Sequence, residues 1–238
     1  MVMRQVLRAF STVLIVSGTL LIADAAATVT WQEPLSAFLG HLNQNKLNGQ
    51  LNRLQAQGLT PIEKRVISHL PGERARLAFL ARSLKRRATN GQGVGRIRIP
   101  KIGASYVVVK GTSVGDLRKG PGAYPQTPLP GAPGTVAIAG HRTTYGAPFR
   151  HIDRLSSGDP ITLTLPYGRF TYRVQHRRIV GPNDIWVIKR VGYDRLVLTA
   201  CHPLYSAAKR IVVFARLVRE QPLGAAAKST ENRSSPAA

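Results

Sequence analysis

After Gly95, glycine and proline cut the chain into short runs of Val, Ile, Leu and aromatic residues. The runs are Arg96–Ile99, Ser105–Val109, Thr135–Ala139, Ile161–Leu165, Phe170–Ile179, Ile185–Val187, Arg195–Ala200 and Ile211–Val218. Runs of this length with β-branched residues and turn residues between them are strands. Eight of them in one segment predict an all-β fold, an eight-stranded closed barrel over residues 94–220, because closure removes exposed edges. Pro148–Leu155 reads as a short helix. Gly120–Gly134 holds five prolines and reads as a loop without regular structure.

The first part of the chain has a different pattern. Arg4 and Arg8 precede an uncharged stretch from Ala9 to Ala23, and apolar character continues past Asp24 to Trp31. As a helix, Val6–Trp31 spans the roughly 30 Å of a bilayer at about 1.5 Å per residue. The arginines then stay on the cytoplasmic side and Trp31 sits at the outer interface. Residues 1–31 are therefore expected to be a cytoplasmic N-terminus and a signal-anchor helix, giving a single-pass protein of the plasma membrane with the rest outside the cell. Ala23-Asp24-Ala25 and Ala25-Ala26-Ala27 also fit a processing site, so a cleaved signal peptide is the competing reading.

Residues 32–93 read as a helical stalk and linker. Leu47, Leu51, Leu54 and Leu59 recur at near-helical spacing, as do Val66, Ile67 and Leu70. Thr60-Pro61-Ile62-Glu63 has the form of a capped helix start, Leu70-Pro71-Gly72 a break, and Glu73–Arg87 a second, basic helix. The three glycines in 88–95 suggest a hinge, and the Ala/Ser-rich residues 221–238 a disordered tail.

Net charge is +23, but it is spread at about +8 over residues 1–90, +14 over 91–220 and +1 over the tail. No reading helix or finger motif gathers it, which argues against a specific nucleic-acid partner and for anionic lipid or wall polymer. The single cysteine, Cys201, excludes an internal disulfide and a Cys-x-x-Cys zinc site. The carboxylates of the barrel region, Asp116, Asp153, Asp159, Asp184, Asp194 and Glu220, form no sequence cluster for a cation, so neither cofactor nor metal is expected.

A lone thiol at the end of the run Leu196–Ala200 is a candidate nucleophile. It must be deprotonated to attack, and imidazole has the proton affinity for that transfer in both directions. Six histidines compete: His41, His69, His141, His151, His176 and His202. His141 is favoured by position, ending a buried-type run after a glycine that permits a sharp turn, but spacing alone leaves the choice open. Arg210, which opens the last run, is a candidate fixed cation for an oxyanion.

The segments Ala139-Gly140-His141-Arg142-Thr143-Thr144-Tyr145-Gly146-Ala147-Pro148-Phe149, Leu198-Thr199-Ala200-Cys201-His202-Pro203 and Arg210-Ile211-Val212-Val213 resemble the signatures of sortases, in the version nearest class E. The likeness extends to the anchor followed by Trp31-Gln32-Glu33-Pro34. It implies an eight-stranded β-barrel and a cysteine transpeptidase with His141, Cys201 and Arg210 as the catalytic triad. It implies further that the enzyme cleaves the Thr–Gly bond of an LAxTG or LPxTG sorting signal through a thioacyl intermediate. An amine of a cell-wall peptidoglycan precursor would resolve that intermediate. Tyr145 matches a tyrosine tied to preference for Ala over Pro in the signal, against the alternative of a packed loop aromatic. Thr199 and Ala200 are expected beside the substrate. Where the family has threonine before the cysteine this chain has Ala200, and where it has the first threonine this chain has Val197.

Other readings are weaker. A pilin-polymerising sortase would carry an Asp-Pro-aromatic lid motif, and an L,D-transpeptidase a Ser-x-Gly-Cys signature. A non-catalytic anchored barrel that binds anionic wall polymer is the reading from a different class.

Overall fold

Eight strands close into a barrel in a computed structural model that describes residues 2–30 and 34–227. They are β1 (Gly93–Ile99), β2 (Ala104–Lys110), β3 (Gly122–Ala123), β4 (Thr135–Ala139), β5 (Pro160–Leu165), β6 (Gly168–Val180), β7 (Arg195–His202) and β8 (Lys209–Pro222). Around the barrel the order is β1-β2-β3-β4-β7-β8-β6-β5. The β2–β3 and β4–β7 pairs are parallel.

The strand count is as expected, but one member differs. Ile185–Val187 is not a strand; Ile185–Ile188 forms a 3₁₀ turn. Its Val187 packs with Ala137, Val197, Val212 and Phe214 on the outside of the sheet. Both edges of β7 are already taken, by β4 and β8, so this apolar run has no ladder to join. The missing strand is β3, inside the proline-rich segment read as irregular. It is two residues long and lies between Pro121 and Pro125, so it needs no proline amide. It bridges β2 to β4, pairing Gly122 with both Val109 and Ala139. Pro148–Leu155 is mostly turns, with one 3₁₀ segment at Ile152–Arg154.

Alternation along the strands assigns two faces. Val136 and Ile138 of β4, Leu196, Leu198 and Ala200 of β7, and Ile211 and Val213 of β8 join the barrel interior. Their neighbours Ala137, Val197, Val212 and Phe214 form the outer cluster. Thr199, Cys201 and Arg210 therefore stand on the outer face, since side chains two apart share a face.

Four helices precede the barrel: α1 (Val2–Thr30), α2 (Pro34–Gln57), α3 (Pro61–His69) and α4 (Gly72–Arg87). In α1, Met3–Ala26 is long and apolar enough to cross a membrane and has none of its surface buried against the protein. Trp31, the expected interfacial anchor, lies outside the described residues. Thr60 caps α3 as expected: its side chain accepts from the Glu63 amide, and Glu63 accepts from the Thr60 amide at 2.9 Å.

The expected helical stalk is present and packs on the barrel. Leu77, Leu80 and Leu84 of α4 are at most 3% exposed and belong to the barrel core. Each contributes on the order of 1.5–3 kcal/mol by burial, together comparable to the net stability of a domain. The C-terminal carbonyls of α4 are also tied down, with Lys110 Nζ donating to Lys85 O and Ala88 O at 2.9 and 2.7 Å. Leu47 and Leu51 of α2 pack on Val107 and Val109 of β2. The expected hinge is no hinge, because Gly91 donates to Lys110 O and Gly93 pairs with Val109. The expected tail is ordered through residue 227: β8 runs to Pro222, and Gly224–Ala226 forms a 3₁₀ turn with Ala226 buried in the core.

Candidate active site

Strand register brings the three candidate residues to one end of the sheet. The parallel β4–β7 pair matches Ala139 to Thr199, and the Gly140 amide donates to Thr199 O at 3.0 Å. His141 thus leaves β4 level with Cys201, two residues on in each chain. On the other side of β7, Cys201 pairs directly with Arg210 of β8. Cys201 is a half-buried free thiol, and His141 and Arg210 are half-buried beside it.

Gly140 works differently from the expected sharp turn. Its φ is not among the positive ones; a Cβ there would lie 2.5 Å from the ring of Phe149, which is fully buried. The glycine lets the chain before His141 lie against that ring, and Phe149 in turn donates its amide to His141 O at 3.0 Å.

His141 Nε2 is buried and has no hydrogen-bond partner among the described residues. Burial pushes the imidazole pKa below its ordinary value, and the Arg118 guanidinium pushes it the same way. The Tyr145 ring packs on it tilted by 42°, with centroids 5.3 Å apart, and the Arg118 guanidinium lies over the Tyr145 ring, 5.8 Å from its centroid. Arg118 follows the short helix α5 (Val114–Leu117). Arg210 is held by Nη1, which donates to Ala207 O and Lys209 O at 2.8 and 2.9 Å. Its Nε and Nη2 make no hydrogen bond among the described residues.

The two residues before the thiol part company. Thr199 is on the thiol's face, and its hydroxyl lies 2.9 Å from the Tyr124 hydroxyl. Ala200 is 3% exposed and points into the barrel core. One step along a strand reverses the face, so the two side chains part, although Thr199 at 4% exposed is nearly as enclosed. The position at which this chain departs from the sortase pattern thus faces the barrel core.

Sequence reasoning passed over Arg142 and Tyr124. Arg142 is 4% exposed, although it follows His141 directly. Its Nη2 donates to Asp153 Oδ1 at 2.9 Å and to Arg150 O at 3.2 Å, while Nη1 reaches Cys201 O at 3.4 Å and His202 Nδ1 at 3.4 Å. A buried guanidinium needs such partners, and here they join the 150s turn to the end of β7. The only sequence signal was adjacency to His141. Tyr124, alone in the proline-rich segment, carried none.

A sortase domain is matched over residues 97–218. Sortase D of Bacillus subtilis (strain 168) is 36% identical over 132 residues, 54% of this chain and 65% of its own length. Sortase SrtE1 of Streptomyces coelicolor (strain ATCC BAA-471 / A3(2) / M145) is 30% identical over 148 residues, 56% of this chain and 42% of its own. The chain thus spans less than two thirds of either relative. The structure of sortase E from Streptomyces avermitilis is similar at a TM-score of 0.52 and 36% identity, over 56% of this chain and 93% of that one. With the barrel, its strand order and the domain match over half its length in agreement, this chain belongs to the sortase family and resembles its class E members.

Proposed function

We propose that this chain is a membrane-anchored cysteine transpeptidase, with Cys201 as nucleophile, His141 as the proton-transfer group and Arg210 as the oxyanion or substrate-backbone donor. The observation that supports the reading is strand register: β4 ends with Ala139 beside Thr199, two residues before His141 and Cys201 in their segments, and Cys201 pairs with Arg210. The substrate class comes from the family: a secreted protein bearing an LAxTG- or LPxTG-type signal, and an amine on a cell-wall precursor. α1 is the segment that would hold the enzyme in membrane lipid.

The thiol proton passes to His141, and the thiolate attacks the threonine carbonyl carbon of the Thr–Gly bond. Negative charge moves to the carbonyl oxygen, where the open edge of Arg210 can donate. The tetrahedral species collapses, the C–N bond breaks, and the glycine amine leaves with the proton from His141. The incoming amine then attacks the thioester carbon, gives its extra proton to His141, and expels the thiolate, which recovers a proton. Burial and then Arg118 lower the proton affinity of His141, which favours the neutral imidazole able to take the thiol proton.

The test is capture of a thioacyl adduct from an LAxTG peptide, read by mass shift on the intact protein and release by hydroxylamine. Cys201→Ala is expected to abolish both. Release of product by the alanine variant at the wild-type rate would sink the assignment of the nucleophile.

A further inference from the structure

The turn after His141 has an unusual backbone. Tyr145, Gly146 and Ala147 have φ of 52, 77 and 41°, three consecutive residues in the left-handed region, two of them with side chains that resist it. Such a turn persists only where its surroundings hold it.

The holding groups come from outside the barrel sequence. The Tyr145 amide donates to Ser36 Oγ of α2 at 3.1 Å, and Ser36 is 5% exposed. One helical turn later, Gly40 faces the same peptide: a Cβ there would lie 2.7 Å from Tyr145 C, 2.8 Å from its O and 3.1 Å from Gly146 N. Only glycine allows helix α2 to come this close. Tyr106 of β2 completes the cradle, its hydroxyl donating to Gly146 O at 2.7 Å. The same helix fixes the residues next to Arg118. Gln44 Nε2 donates to Lys119 O at 2.8 Å and its Oε1 accepts from the Val107 amide at 2.7 Å, while Asn43 Nδ2 approaches Arg118 O at 3.4 Å. Tyr145, which packs on the His141 ring, and the backbone of Arg118, whose guanidinium lies over Tyr145, are therefore both held by α2, which begins four residues after α1 ends.

We propose that α2, the helix next to the membrane segment, completes the active site, with Ser36 and Gly40 as positioning residues that set Tyr145 against His141. The inference rests on the transpeptidase reading and deepens it: the site is shared between the barrel and the juxtamembrane helix. The barrel taken alone would have its thiol and histidine but a relaxed Tyr145 turn.

The experiment uses the full chain in lipid nanodiscs, with an LAxTG peptide for thioacyl formation, iodoacetamide for thiol accessibility, and thermal melting for stability. Ser36→Ala removes one hydrogen bond at the turn, worth about fivefold in kcat/KM for the peptide. Ser36→Thr keeps the hydroxyl and restores the rate. Gly40→Ala forces the helix off the turn, and misplacement on the order of 1 Å costs about a hundredfold. Asn52→Ala, an exposed change elsewhere on α2, leaves every readout at the wild-type value. Positioning requires that peptide acylation fall in Ser36→Ala while alkylation of Cys201 stays within error and the melting temperature drops by no more than the about 2–4 °C of one hydrogen bond. The proposal is overturned if both variants acylate at the wild-type rate. It is equally overturned if acylation, alkylation and melting fall together and Ser36→Thr rescues none of them. A wild-type chain that forms no thioacyl adduct would instead sink the transpeptidase reading itself.

Discussion

Replacing Arg142 by methionine should damage the site from beneath. The side chain is 3% exposed in its ion pair with Asp153, but the Asp153 side chain is 50% exposed. Removing the guanidinium therefore leaves a carboxylate that water can reach, not a stranded buried charge, so the full 3–5 kcal/mol of a broken buried pair does not apply. What remains is the loss of donors to Arg150 O and Cys201 O, offset by retained apolar packing, about 1–3 kcal/mol in all. At about 2–4 °C per kcal/mol for a domain of this size, the melting temperature should fall by about 2–12 °C. Acylation should fall further, about 10–100-fold, because the end of β7 that carries the thiol is released. Thermal melting followed by circular dichroism, and thioacyl formation at a temperature where both proteins are folded, measure the two effects. Arg142→Lys should be intermediate, since an ammonium cannot span Asp153 and two carbonyls as the guanidinium fork does. If Arg142→Met melts and acylates like wild type, the bonds to the 150s turn and to Cys201 O do not hold the nucleophile.

Two further outcomes follow from the site. Burial, and then Arg118, hold the His141 pKa down, so the acid limb of kcat/KM for acylation should lie below the ordinary imidazole value. Arg118→Gln should move that limb upward, with burial still keeping part of the shift; an unmoved limb would show that Arg118 does not act on His141. Ala200→Thr, which restores the family residue, adds a methyl and a hydroxyl inside the barrel core. It should cost about 1–3 kcal/mol in denaturant unfolding with no gain in acylation; a faster enzyme of equal stability would contradict the inward orientation of this position.

Much of the chain was legible from local pattern. Thr60-Pro61-Ile62-Glu63 specifies a helix start by its own side chains, and the structure contains that capping box. Seven of the eight expected strands are present because alternation and turn residues are local signals. The two strand errors involve partners distant in sequence. Ile185–Val187 has strand-like residues but no free edge. Gly122–Ala123 has weak strand residues but fills a gap between two strands. The helices before the barrel read as a stalk because amphipathicity shows that a face is apolar without showing what covers it.

The sequence by itself determined an apolar N-terminal helix long enough to cross a membrane, the barrel class, the lone thiol and, through its motifs, the family. It could not say which side of β7 each residue before Cys201 takes relative to the core, and there only the fold separated Thr199 from Ala200. Tertiary structure alone joined Ser36 and Gly40 to Tyr145 across more than a hundred residues, and Arg142 to Cys201 across 59. The physical reason is the same in each case: helices and strands follow from short-range periodicity, whereas a site is made where separate segments meet, and that meeting is decided by packing of the whole chain.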